Sequence, residues 1–228
     1  MYRFERFFCE WVIKYRVAII VLSLVAVAGL GYGVKFLGFT PDYRVYFRAD
    51  SPHLMAFNQN EATYTKSDNV FILAVPEKGD VFQPEFLTLV EDLTEDAWQI
   101  PHSRRVDSIQ KFQNTYAEED DLIVEDLYSE ASSLTEEDIQ NVKAVALSDP
   151  LLFKRIISKD GGATAVNVTI EFPEVEPEAE LREVVAFSRD LVKKYQQEYP
   201  GVTFYVTGMA FMNNAFVESG QGDGETLF

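Results

Sequence analysis

Apolar and polar positions divide this chain into two unlike parts. Residues 17–36, VAIIVLSLVAVAGLGYGVKF, form an apolar run interrupted only by small residues, Tyr32 and a late Lys35. Hydrocarbon offers no water to backbone N–H and C=O groups, so a span must pair them inside a helix of about 20 apolar residues. The run meets that length and predicts a transmembrane helix. Ahead of it, residues 1–16 read as a cytoplasmic or interfacial amphipathic segment. There Tyr2, Phe4, Phe7, Phe8 and Trp11 alternate with Arg3, Glu5, Arg6 and Glu10, a mixture suited to the headgroup region. A cleaved signal peptide is the competing reading, because Ala26-Val27-Ala28 before Gly29 has the small-x-small form of a cleavage site. Against it, apolar character continues through Leu30, Tyr32 and Val34. Ala26, Gly29, Gly31 and Gly33 would also let a neighbouring helix approach closely.

Beyond the span the pattern predicts a folded α+β domain. Residues 37–68 form an extracytoplasmic exit segment, and its aromatic-rich stretch 38–54, with two prolines, predicts no helix. The continuous run Val70-Phe71-Ile72-Leu73-Ala74-Val75 predicts a buried strand ended by Pro76. Pro84 suits the first turn of a helix that carries Phe86, Leu87, Val90, Leu93 and Ala97 at helical spacing. Residues 106–112 read as a second strand. The stretch 117–121, AEEDD, reads as a solvated acidic loop, and Thr135 with Asp138 three residues on predicts a capped helix ending before Pro150.

Residues 154–158 and 163–172 are predicted strands flanking Lys159-Asp160-Gly161-Gly162, where Asp-Gly supplies the positive φ of a tight hairpin. A long amphipathic helix is predicted over 178–199, and a last strand over 202–207, closed by Gly208. The order is strand, helix, strand, an insertion, strand, helix, strand. That order matches the split βαβ or ferredoxin-like plan over 69–208, with both helices on one face of an antiparallel sheet. The insertion, about 113–162, is expected to be helical. Residues 209–228 read as a lead-in to a missing second transmembrane helix, with Gly220-Gln221-Gly222-Asp223-Gly224 a flexible junction.

Charge adds an orientation. Residues 1–36 hold five basic and two acidic side chains, a balance of about +3, so the remaining residues carry about −20 of the formal −17. Positive charge on the N-terminal flank puts the N-terminus in the cytoplasm and the acidic domain outside. An acidic domain argues against nucleic acid as a partner, since phosphates need Lys and Arg. Cys9 is the single cysteine, so no intrachain disulfide forms.

Candidate chemistry is sparse. His53 and His102 are the only histidines, with no carboxylate or cysteine at metal-ligand spacing. Glu118, Glu119, Asp120 and Asp121 lack the alternation and turn glycine of a calcium loop. No Ser-His-Asp arrangement or phosphate-cradling loop is present. Asn167-Val168-Thr169 matches a glycosylation sequon but falls inside a predicted strand. No catalytic, cofactor or metal residue is assigned, no cofactor is expected, and the chain reads as a non-enzyme.

Taken together, WVIKYRVAIIVLSLVAVAGLGYGVKF, FTPDYRVYFRADSPH, SDNVFILAV, the segment from SLTEEDIQ to NVTIEF, and VTGMAFMNNAFVES resemble the N-terminal part of resistance-nodulation-division (RND) exporters. Within them the chain is most similar to the branch holding the mycobacterial membrane protein large (MMPL) proteins and lipid exporters. The resemblance covers essentially all 228 residues. It implies an inner-membrane location and a first span followed by a first periplasmic porter domain. Its implied partners are the lipid bilayer, a hydrophobic or amphiphilic substrate, the remaining helices and second porter domain, and further copies of the chain. Proton-relay residues would sit on later helices, so none is assigned here, and individual substrate-path residues are not singled out among the Phe, Tyr and Met side chains. Two other readings stand beside it: a single-pass anchored periplasmic binding or scaffold module, and a secreted acidic protein released after Ala28.

Overall fold

The apolar run is helical in the computed structural model of the chain, which describes residues 2–33, 43–64, 66–118 and 121–227. Two units are present, Met1–Thr40 and Pro41–Phe228. In the first, helix α1 (Tyr2–Lys14) is followed by α2 (Arg16–Gly33). Only Tyr15 lies between them, and it joins the helical ladder on both sides: its N–H donates to Trp11 O and its C=O accepts from Ile19 N. The interfacial segment is therefore not set off by a loop. Helix α2 buries none of its residues and is long and apolar enough to cross a membrane. Those features also fit a signal sequence. Residues 34–36 of the predicted span lie outside the described residues.

The second unit is α+β. Strands β1 (Asn69–Pro76), β2 (Ser103–Asp107), β5 (Thr164–Ile170) and β6 (Val202–Thr207) form one sheet in the order β2-β5-β1-β6, with every neighbour antiparallel. Side chains alternate across a sheet, so register decides which ones share a face. Val70 opposes Val168, and Ile72 sits between Val166 and Val206. These side chains are buried or half-buried in one core with Leu87, Val90 and Leu93 of α4 (Pro84–Ala97) and Leu181, Val184 and Tyr195 of α6 (Pro177–Glu198). The other parity, which includes Phe71, Asn167, Thr169, Tyr205 and Thr207, is half-buried or exposed apart from Ala165. One face of the sheet thus carries the core, and the other is open.

Between β2 and β5 the insertion is mixed rather than helical. It begins with a two-stranded hairpin, β3 (Gln113–Glu118) and β4 (Asp121–Asp126). The short β-prone run Leu122-Ile123-Val124 forms one strand of it, pairing with Ala117, Tyr116 and Thr115, and is flanked by high charge in the sequence. A 3₁₀ turn (Ala131–Ser133) and helix α5 (Glu136–Ser148) follow. The capping box stands as predicted: the Thr135 hydroxyl accepts from Asp138 N, and the Asp138 carboxylate accepts from Thr135 N. Glu91 of α4 anchors the turn, accepting the N–H groups of Glu130 and Ala131 at 2.9 and 2.8 Å.

Four further expectations are corrected. β2 occupies 103–107 instead of 106–112, because Ser108 Oγ accepts from Lys111 N and turns the chain. Residues 154–158 are turns, not a strand: Lys154 has φ +61° and Ile157 makes only isolated bridges. The Asp160-Gly161 turn itself is present, with Gly161 at φ +70°. The exit segment contains a 3₁₀ turn (Tyr43–Tyr46) and helix α3 (Pro52–Thr63), started by Ser51-Pro52, where proline's fixed φ suits the first helical position. Helix α7 (Met209–Leu227) continues through 220–224, where a flexible junction was expected.

Helices α4 and α6 are joined by a polar clasp. Lys194 Nζ lies 2.8 Å from Asp96 Oδ2, and the Tyr195 hydroxyl donates to the same oxygen at 3.0 Å. The Lys194 bond holds the Asp96 carboxyl below its usual range. Burial, then the bond to Asp96, raises the Tyr195 phenol far above its usual range, and burial does the same to Tyr128. Both phenols keep their protons in the folded state while the unfolded chain loses them near pH 10. Their contribution is complete below that pH and is lost progressively as pH rises from there through their raised folded-state values. Urea unfolding at stepped pH is expected to show stability falling above about pH 10, and Tyr195→Phe to make that fall shallower while costing about 0.5–1.5 kcal/mol at neutral pH. An unchanged alkaline slope would remove Tyr195 from the account.

Candidate functional site

The open sheet face becomes a groove because the insertion walls it. Its floor is Phe71 of β1, Asn167 of β5 and Arg105 and Asp107 of β2. One wall is the turn after β2 and the hairpin, contributing Lys111, Phe112, Thr115 and Asp126. The opposite wall is the connection after α5, with Leu151, Arg155 and Ile156. The groove, open to solvent, has a volume of about 850 Å³, within the range of small-molecule sites.

Local chemistry fixes the lining. Asn69 Nδ2 donates to Asn167 Oδ1 at 2.7 Å, while Asn69 Oδ1 accepts from Met209 N at 3.0 Å, so the floor is tied to the start of α7. Arg105 pairs with Asp107 at 2.6 Å and Lys111 with Asp126 at 2.7 Å. Arg155 is exposed and, among the described residues, its guanidinium has no ion pair or hydrogen bond. Each paired cation is neutralised locally, so Arg155 leaves the groove with one positive charge on a strongly acidic chain. Apolar Phe71, Phe112 and Ile156 beside this one cation suit an amphiphile more than a highly charged ligand.

The sequence residues singled out earlier fall elsewhere. His53 is exposed on α3, and His102 lies in the turn just before β2 with its ring 6.2 Å from Phe172, so the two histidines lie on separate elements. Glu118 and Asp121 flank the hairpin tip, and Glu119 and Asp120 lie outside the described residues. Among the described residues no group of three or more His, Cys, Asp or Glu side chains could hold a metal. The sequon Asn167 sits in an inner strand, bonded to Asn69. Of the aromatics, Phe82, Phe86 and Phe204 are buried in the core, whereas Phe71 and Phe112 line the groove. Arg105, Lys111 and Arg155 drew no attention in sequence, since isolated cations carry no motif. The one available signal was the parity of β1, which puts Phe71 opposite Ile72. The chain matches no protein-family model and no curated protein.

Proposed function

We propose that this chain is the N-terminal part of a proton-driven RND/MMPL-type exporter, supplying a first span and a ferredoxin-like porter domain whose groove forms part of the path of a hydrophobic or amphiphilic substrate. The supporting observation is the sheet order β2-β5-β1-β6, with both crossover helices on one face and the opposite face left as a groove of about 850 Å³. Numbered within the repeat, that order is 2-3-1-4, the order expected of a split βαβ pair. The apolar α2 and the basic flank ahead of it support an inner-membrane anchor with the sheet domain extracytoplasmic. Substrate would move by alternating access between this domain and a second one. Because the groove is lined by one unit of this chain alone, a membrane-anchored binding module is the second reading.

Binding of a fluorescent hydrophobic dye tests the groove with the full chain in nanodiscs. Saturable binding is expected, and Phe71→Ala is expected to weaken it about tenfold, equivalent to the loss of roughly 1.4 kcal/mol of contact. Binding indifferent to Phe71→Ala would displace the site. Export is tested in the complete gene product: Asn167→Trp, which fills the floor, is expected to abolish dye efflux. Retained efflux would exclude the groove from the path, and a coding sequence ending at Phe228 would select the binding-module reading.

A further inference from the structure

The segment that follows the span is built like a membrane-surface element. The 3₁₀ turn at Tyr43–Tyr46 is clasped to the last turn of α3 by Arg44 Nη2 and Glu61 Oε2 at 2.8 Å, with the Glu61 side chain only 9% exposed. The chain bends between them through Phe47 N–H to Arg44 O and Ser51 N–H to Arg48 O. This folded segment faces outward with its apolar side chains: Tyr46 is 79% exposed, and Val45, Phe47 and Met55 are each more than half exposed. None of the twelve residues of α3 is buried. A helix of that length is marginal in water without an apolar face packed on something.

Position and charge select the occupant. Six residues, 37–42, separate the apolar run from Tyr43, a reach of roughly 25 Å at full extension. Any membrane crossed by that run therefore lies within reach of the turn. Residues 43–61 carry Arg44 and Arg48 against Asp50 and Glu61, each arginine paired with a carboxylate, so this stretch is neutral and escapes the acidity that repels the rest of the domain from anionic lipid. Tyr and Phe beside Arg are the side chains that settle at a headgroup layer. The geometry points to residues 43–57 resting on the outer headgroup layer of the bilayer, a second lipid contact beside the span. This inference rests on the anchoring reading of α2.

The full chain in vesicles of phosphatidylethanolamine and phosphatidylglycerol provides the test. In a Cys9→Ser background, Tyr46→Cys, Val25→Cys and Val175→Cys each take an environment-sensitive fluorophore, and lipids spin-labelled at the headgroup or deep in the acyl chain act as quenchers. Val25 lies in α2 and Val175 is 81% exposed before α6, so they report the span and open solvent. The expected result is blue-shifted emission at position 46, quenched by headgroup label, with position 25 quenched by the deep label and position 175 by neither. Quenching at 25 without quenching at 46 overturns the surface contact and leaves the span standing. Position 46 shielded from both lipid label and aqueous iodide overturns it in favour of a protein cover. Absence of quenching at 25 overturns the span and this inference with it.

Discussion

Gly208→Val destabilises the Pro41–Phe228 unit by more than about 3 kcal/mol, the largest effect expected of any single substitution at a joint of this fold. Gly208 turns the chain from β6 into α7 at φ +117°, a conformation that side chains rarely adopt. A Cβ there would stand 2.4 Å from the backbone oxygen of Asn69. That oxygen cannot retreat, because Asn69 is registered against Thr169 in β5 and its side chain holds both Asn167 and Met209 N. Strain and collision therefore act together on the inner strand of the sheet. Asn69→Ala, which keeps the turn and removes only the side-chain bonds, is expected to cost about 1–2 kcal/mol. Urea unfolding followed by circular dichroism measures both, and a cost below about 1 kcal/mol for Gly208→Val would contradict the joint as described.

Leu93→Ala is expected to cost about 2–5 kcal/mol, and Leu122→Ala to stay within about 0.5 kcal/mol of the parent. Leu93 is completely buried among α4, α6 and the sheet, so its removal leaves a cavity in a core that packing cannot refill. Leu122 is 71% exposed on the hairpin and has little apolar contact to lose. Identical chemistry at the two sites isolates burial as the cause. Equal effects would mean that the hairpin is packed against the core and the groove is closed.

These contrasts explain which parts of the fold were readable. Periodicity is legible where one face is buried, so β1, α4, α6 and β6 lie within a residue or two of their predicted bounds. The capping box at Thr135 was legible because its two residue types and their spacing are the mechanism. Helix α3 was not, since it buries none of its residues and shows no apolar stripe. The β3–β4 hairpin was hidden by its charge, and residues 154–158 had strand-like composition but are turned by Lys154 in the left-handed region. The groove could not be read at all. It arises from the insertion folding over the open face, which joins Phe71, Lys111 and Arg155 across long separations that no local pattern encodes.

The central claim is that α2 holds the chain in a membrane with its N-terminus inside and the sheet domain outside. Labelling intact cells that express residues 1–228 with a membrane-impermeant maleimide tests it most directly, because Cys9 is the only thiol in this sequence. Native Cys9 is predicted to label only after permeabilisation, whereas Val175→Cys in a Cys9→Ser background labels on intact cells. Val175→Cys protected until lysis, or mature protein that never labels at Cys9, would contradict the account: the first places the domain inside, and the second shows that the apolar helix is a cleaved leader.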